Sequence, residues 1–212
     1  MARVADIITS FELEVNDMTE LSSSEELLIL NRVYKRICLS PYEFLKVNVT
    51  GNIESDATSS YITLPTDFRY LSNNGDFSEQ NMSYDENLKF RIIYVGSNYS
   101  RYKVINFSDR LQYRNQTGYC YLDLAGNKIR FCYAPTDTTY SFDYIKTPPT
   151  LTLADAPLFP EDFDVVIVYG MAQENEILQR SDKARSYKDD YEVKYQQALR
   201  DLKLYNAQMI NY

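Results

Sequence analysis

The sequence predicts an α+β fold, with a helical bundle formed by the N- and C-terminal helices and an inserted antiparallel β domain. Three observations carry this reading. Apolar residues recur at helical spacing near both ends of the chain. From Val47 to Lys146 the pattern alternates, is rich in Tyr, Ile, Val and Thr, and is broken by Asn, Ser and Gly clusters. Pro148 and Pro149 then end that region. Each terminal helix has an apolar face to bury, and packing them together is the simplest way to bury it. The domains are drawn as 1–46 with 148–212 for the bundle and 47–147 for the insertion.

The first helix is expected from Val4 to about Val15, with Ile7, Ile8, Phe11, Leu13 and Val15 as its stripe. A break follows between Met18 and Leu21. Ser23 and Glu26 have the spacing of a capping box, in which the serine oxygen accepts from a free backbone N–H. Leu27, Leu28, Leu30, Val33, Tyr34, Ile37 and Cys38 continue at helical spacing, and Pro41 ends the run near Leu39. Tyr42 to Lys46 suits another turn.

In the middle region the clearest element is a hairpin, Tyr119–Leu124 returning through Lys128–Tyr133. A two-residue turn at Gly126-Asn127 would pair Cys120 with Tyr133. A three-residue turn over Ala125–Asn127 would instead set Cys120 opposite Cys132. Further strands are expected at Ser60–Leu64, Leu88–Val95, Lys103–Phe107 and Thr139–Ile145, with a long polar loop over Asn73–Asn87.

After an extended linker, Pro160 suits the first position of a helix, and Glu161, Asp162 and Asp164 favour the positive end of its dipole. Phe163, Val166, Ile167, Gly170, Met171, Glu174, Ile177 and Leu178 line one face. Ser181-Asp182 breaks and recaps. The last helix then runs from Asp182 to about Met209. In it Ala184, Tyr191, Ala198 and Tyr205 repeat every seven residues, with Tyr187, Tyr195, Leu202 and Met209 as a neighbouring row.

Composition narrows the chemistry. The chain has 212 residues, 20 Tyr, 10 Phe, no Trp and no His. Lacking histidine, it lacks the usual general base and the commonest metal ligand. Its net charge of −8 suits gripping a phosphate backbone poorly, since that needs clustered Lys and Arg. Three cysteines are too few for a disulfide scaffold. The N-terminus has no apolar signal segment, and no run is long enough for a membrane helix, so a soluble chain made in a cytoplasm is expected. The Asn-x-Ser/Thr sites of the middle region then have no route to glycosylation and read as chance.

The charged clusters have plain structural readings. Glu161, Asp162 and Asp164 fit a first helical turn without acid–base chemistry. Arg32, Lys35 and Arg36 read as a solvated helix face. No catalytic, cofactor-binding or metal site is predicted, and the chain is not expected to be an enzyme. Tyrosine pairs an apolar ring with a hydroxyl, and is common at interfaces. The tyrosine stripe therefore has two readings, core or contact. Tyr187, Tyr191, Tyr195, Leu202, Tyr205, Met209 and Tyr212 are the candidate subunit or portal contacts.

Three pieces in order resemble the head–tail adaptor, or connector, proteins of tailed phages. The first is Asn31–Ile37 with Ser40–Phe44, similar to a second helix and its bend. The second is Tyr61–Phe68, with its Leu-Pro-Thr-Asp-Phe ending. The third is Tyr144–Leu151, followed by Phe159–Phe163 and two helices. The chain departs from that pattern in having Tyr42 or Phe44 where a tryptophan-like aromatic is usual, and in its long 73–87 loop. The resemblance implies a structural virion protein. It would form a homo-oligomeric ring, commonly twelve-fold, that bridges the portal protein to a tail or stopper protein in the neck. DNA would pass through the ring without being held, and an acidic surface favours such passage. The alternatives are a β-sandwich binding module, for instance for carbohydrate, on a helical oligomerisation stalk, and an enzyme using carboxylates alone.

Overall fold

The computed structural model describes residues 3–15, 21–40, 42–72, 91–178 and 184–210. The fold is α+β, with four helices and a large mixed sheet among these residues. The chain divides into two compact units, Met1–Leu45 with Pro148–Tyr212, and Lys46–Thr147. The expected loop 73–87, the break at 181–182 and Pro41 lie outside the described residues.

In the first unit, helix α1 spans Arg3–Val15 and α2 spans Ser23–Ile37. Helix α3 covers Asp164–Leu178 and α4 covers Ala184–Ile210. Helix α3 packs against each of the other three. Its middle can approach closely because Gly170 has no side chain there. A Cβ on Gly170 would overlap Val33 Cγ1 of α2 and lie 3.0 Å from Tyr195 Cε2 of α4. Val4, Ile7, Ile8 and Phe11 of α1 are buried, but Leu13, expected on the same stripe, is 73% exposed. In α2, Ile29, Leu30, Val33, Tyr34 and Ile37 point inward, while Leu28 stands outside.

The cap of α2 lies one residue earlier than expected, at Ser22. The Ser22 backbone N–H and hydroxyl donate to Glu25 Oε2 at 2.8 and 2.6 Å. This leaves Glu26 on the buried face, where burial raises its carboxyl above the ordinary range. Pro160 is likewise displaced from its expected place. It caps a 3₁₀ turn, Glu161–Phe163, that leads into α3, so it stands before the helical residues.

Asn31 of α2 fixes the extended segment that follows the double proline. Its Oδ1 accepts from the Leu151 N–H at 2.7 Å, and its Nδ2 donates to the Leu151 and Leu27 carbonyls at 2.9 and 3.0 Å. The side-chain amide thus supplies both hydrogen bonds that a neighbouring strand would otherwise supply to Leu151. Tyr34, Tyr42, Phe44 and Phe159 pack in a chain of rings with centroids 4.8–6.0 Å apart.

In the second unit the strands are β1 (Lys46–Asn52), β2 (Glu54–Ser55), β3 (Ser60–Thr63), β4 (Phe68–Leu71), β5 (Arg91–Val95), β6 (Ser100–Ile105), β7 (Tyr119–Asp123), β8 (Lys128–Phe131) and β9 (Thr139–Lys146). They form one sheet in the order β1-β9-β5-β6-β7-β8-β3-β2, with β4 also paired to β9. The expectation of a wholly antiparallel sheet is corrected at one place, since β6 and β7 run parallel. The connection over 106–118, with a 3₁₀ turn at Phe107–Leu111, is long enough to return the chain to the start of the neighbouring strand.

The β7–β8 hairpin is also corrected. Its register pairs Cys120 with Phe131, so the turn has four residues, Leu124–Asn127, rather than two or three. Asp123 Oδ1 accepts from the Gly126 N–H at 3.1 Å, and Asn127 takes a left-handed φ of 52°. Asparagine tolerates that conformation better than most residues. Cys120 and Cys132 are both free thiols. Ile62, Leu71, Ile93, Cys120, Ile129 and Phe142 form the centre of this unit's core.

Candidate functional site

The long helix α4 presents two faces. Tyr191, Tyr195, Ala198 and Leu202 recur at spacings of four, three and four, and all are buried against the rest of the helical unit. The Tyr191 hydroxyl donates to the Glu14 carbonyl at 3.1 Å, which ties α4 to the end of α1. Tyr205 is half-buried, its ring centroid 5.0 Å from that of Phe163.

Of the seven candidate contact residues, Tyr191, Tyr195 and Leu202 are therefore enclosed within their own unit. Burial of their apolar faces accounts for that part of the stripe. Met209 is 54% exposed. The side chain of Tyr187 and all of Tyr212 lie outside the described residues.

The outward face of α4 carries Val193, Lys194, Gln197 and Asp201. With Asp162, Phe163, Val165 and Tyr169 from the start of α3, and Ala198, these residues line an open groove of about 510 Å³. Its walls are apolar, with Val193 69% and Val165 38% exposed. Its rim is charged. Lys194 Nζ donates to Glu14 Oε1 at 2.6 Å and lies over the Tyr169 and Tyr191 rings, so its charge is met from within the chain. Asp162 and Asp201 leave the groove acidic. Tyr191, Tyr195 and Leu202 mark the inner face of α4, and the groove belongs to its other face. The pattern that could have located it is Val193, Gln197 and Asp201 on one stripe beside Asp162, Val165 and Tyr169 on another.

The first-turn acids divide. Glu161 and Asp162 are exposed, as helix-start residues can be. Asp164 makes a bidentate pair with Arg3 at the start of α1, through Nε at 2.8 Å and Nη2 at 2.6 Å. Arg3 Nη2 also donates to the Phe159 carbonyl at 2.7 Å. Burial pushes the Asp164 carboxyl up, and the guanidinium pulls it down by less. A place in the first helical turn accounts for Glu161 and Asp162, whereas Asp164 also pairs across 161 residues, which local spacing does not reveal.

The basic cluster of α2 lies on an exposed face, as expected, and also makes contacts inward. Arg36 pairs with the buried Glu174 of α3, Arg32 lies 3.4 Å from the same carboxylate, and Lys35 Nζ donates to Thr150 Oγ1 at 2.8 Å. A buried carboxylate needs such partners, and the two arginines reach Glu174 while the rest of each side chain stays in solvent.

In the sheet unit, Arg130 joins two turns. It meets Asp123 at 2.9 Å and Asp56 at 3.0 Å, and donates to Thr58 and Ser59. Hydrogen bonds from Thr58 and Ser59, then from Arg130, hold the Asp56 carboxyl well below the usual carboxylate range. These partners explain the charges as internal bracing.

Among the described residues, no group of three or more Cys, Asp or Glu is placed to hold a metal ion. No helix among them is long and apolar enough to cross a membrane.

These observations define an α+β chain whose exposed apolar residues shape open grooves on a helical unit. The family model for the SU10 adaptor protein matches residues 2–211, and the chain belongs to that family. The match agrees with the phage adaptor resemblance carried by the order of motifs. No curated protein matches the chain.

Proposed function

We propose that the chain is a non-catalytic structural protein of a phage neck, bridging the portal to the tail or stopper as a homo-oligomeric ring. The observation that carries this reading is the adaptor family match, which runs from residue 2 to residue 211. The pairing of helices from both chain ends, with the sheet unit between them in sequence, supports a terminal helical bundle with a β insertion. The net charge of −8 supports a channel that passes DNA without holding it, because like charges keep the strand from adhering. In this reading carboxylates of the helical unit face the lumen.

Native mass and negative-stain images of the full chain, alone and with a portal protein, test the proposal. Rings that bind the portal are the expected result. A monomer that ignores the portal refutes it, and a ring with a basic, DNA-gripping bore refutes the channel.

A further inference from the structure

The groove between α3 and α4 has a charge-complementary counterpart on the other side of the same unit. Val165 and Glu174 are nine residues apart on α3, which at about 100° per residue puts them half a turn apart. Glu174 meets Arg32 and Arg36 of α2, so the groove faces away from α2. The outward face of α2 carries Leu28, Arg32, Lys35 and the following Leu39, at spacings of four, three and four. Leu28 is 61% and Leu39 63% exposed, with the two cations between them. Arg32 keeps half its side chain in solvent despite its contact with Glu174. This is a ridge with apolar ends and a basic middle. The groove has apolar walls in Val165, Tyr169, Val193 and Ala198, and acids in Asp162 and Asp201.

We infer that the α2 ridge of one copy seats in the α3–α4 groove of the next, with Arg32 and Lys35 against Asp162 and Asp201. The inference rests on the proposed homo-oligomer and names its interface. Two different patches on opposite sides of α3 give a heterologous contact, the type that closes into a ring or runs on as a filament. A two-fold dimer would need a self-complementary patch, and neither surface is one. The chain's own charges supply the attraction: like-charged copies associate because one face is locally basic. Burying Leu28 and Leu39 against Val165 and Val193 supplies the apolar part.

The test uses the full chain and reads assembly by native mass over a concentration series. Lys35→Glu and Asp201→Lys each set like charges against each other. Each is expected to weaken assembly by roughly tenfold or more, and the double variant to recover most of the loss. Both sites are exposed, and thermal melts check that each variant folds. In a second arm, Leu28→Cys and Val193→Cys are combined with Cys132→Ser. Mild oxidation is expected to give a ladder of linked chains on a non-reducing gel. Wild-type assembly with both reversals assembling equally well, or with no ladder, overturns this interface and leaves the ring standing. A wild-type chain that stays monomeric overturns the ring and the interface together.

Discussion

Asn31→Leu should destabilise the helical unit by about 2–4 kcal/mol. Leucine has the same branched skeleton as asparagine, with methyl groups in place of the amide oxygen and nitrogen, so the site stays filled. What is lost is hydrogen bonding. The Leu151 N–H and carbonyl both pair with Asn31 in the interior, and both would be left without that partner. Each buried unsatisfied group costs about 1–3 kcal/mol. The apolar side chain returns roughly 1–2 kcal/mol through burial. With a urea slope of about 2 kcal/mol/M, the midpoint should fall by about 1–2 M. Circular dichroism at a helix wavelength follows the right unit, because the α-helices described lie there. Leu28→Ala, on the exposed face, is the control and should move little. Asn31→Asp keeps the acceptor for Leu151 but sets a carboxylate against two carbonyl oxygens. Its loss should be larger at pH 7 than at pH 4, where protonation restores a donor. An Asn31→Leu midpoint within error of wild type would refute the reasoning, because Leu151 would then need no side-chain partner.

Gly170→Ala should lower stability by about 1–3 kcal/mol through overpacking, although alanine is the better helix former by about 1 kcal/mol. Adding Val33→Ala should recover part of that loss in urea unfolding, since Val33 is the nearest obstacle. Glu174→Gln should cost stability by removing the carboxylate that holds Arg32 and Arg36, and thermal melts at low and high salt should both show it. In alkaline titration at 295 nm, a slow fraction of the tyrosines should ionise only with unfolding. Burial, then Asp67, pushes Tyr144 up to about 12, and burial raises Tyr34, Tyr42 and Tyr195. A raised folded pKa means the associated stability is complete below the unfolded value of about 10 and is lost as pH rises towards 12. A single titration step near 10 with the fold intact would contradict this.

The helices were legible because their periodicity is local. Ile7, Phe11, Val33 and Tyr195 follow 3.6-residue spacing and are buried as that spacing requires. Boundary errors were small and came from competing caps: adjacent serines at 22 and 23 offer the same oxygen, and only Glu25 or Glu26 decides between them. Leu28 shows a limit of periodicity, since an apolar residue beside the stripe need not join it. The sheet was less legible. The β6–β7 parallel pairing depends on the path of residues 106–118, which alternation does not reveal. The packing of the terminal helices follows from their apolar faces, but individual ion pairs across long separations do not. Arg3 with Asp164, and Arg36 with Glu174, are ordinary surface residues until the helices bring them together. The same applies to the groove. The tyrosines drew attention to α4, but burial claimed the ones the described contacts enclose and left the plainer Val193 and Asp201 outside.

The pairing of β1 with β9 has a consequence for how the chain can change. The register runs from Lys46↔Ile145 to Asn52↔Thr139, so the sheet unit begins and ends on two neighbouring strands. Its two chain ends are thus held about 5 Å apart, the spacing of a sheet. A short turn could replace everything between them without moving the residues on either side. The unit is an exchangeable cassette: insertions, losses or swaps of whole sheets at this point leave the helical core's chain path intact. Selection can then alter the sheet's outer surface while the helices stay under a separate constraint.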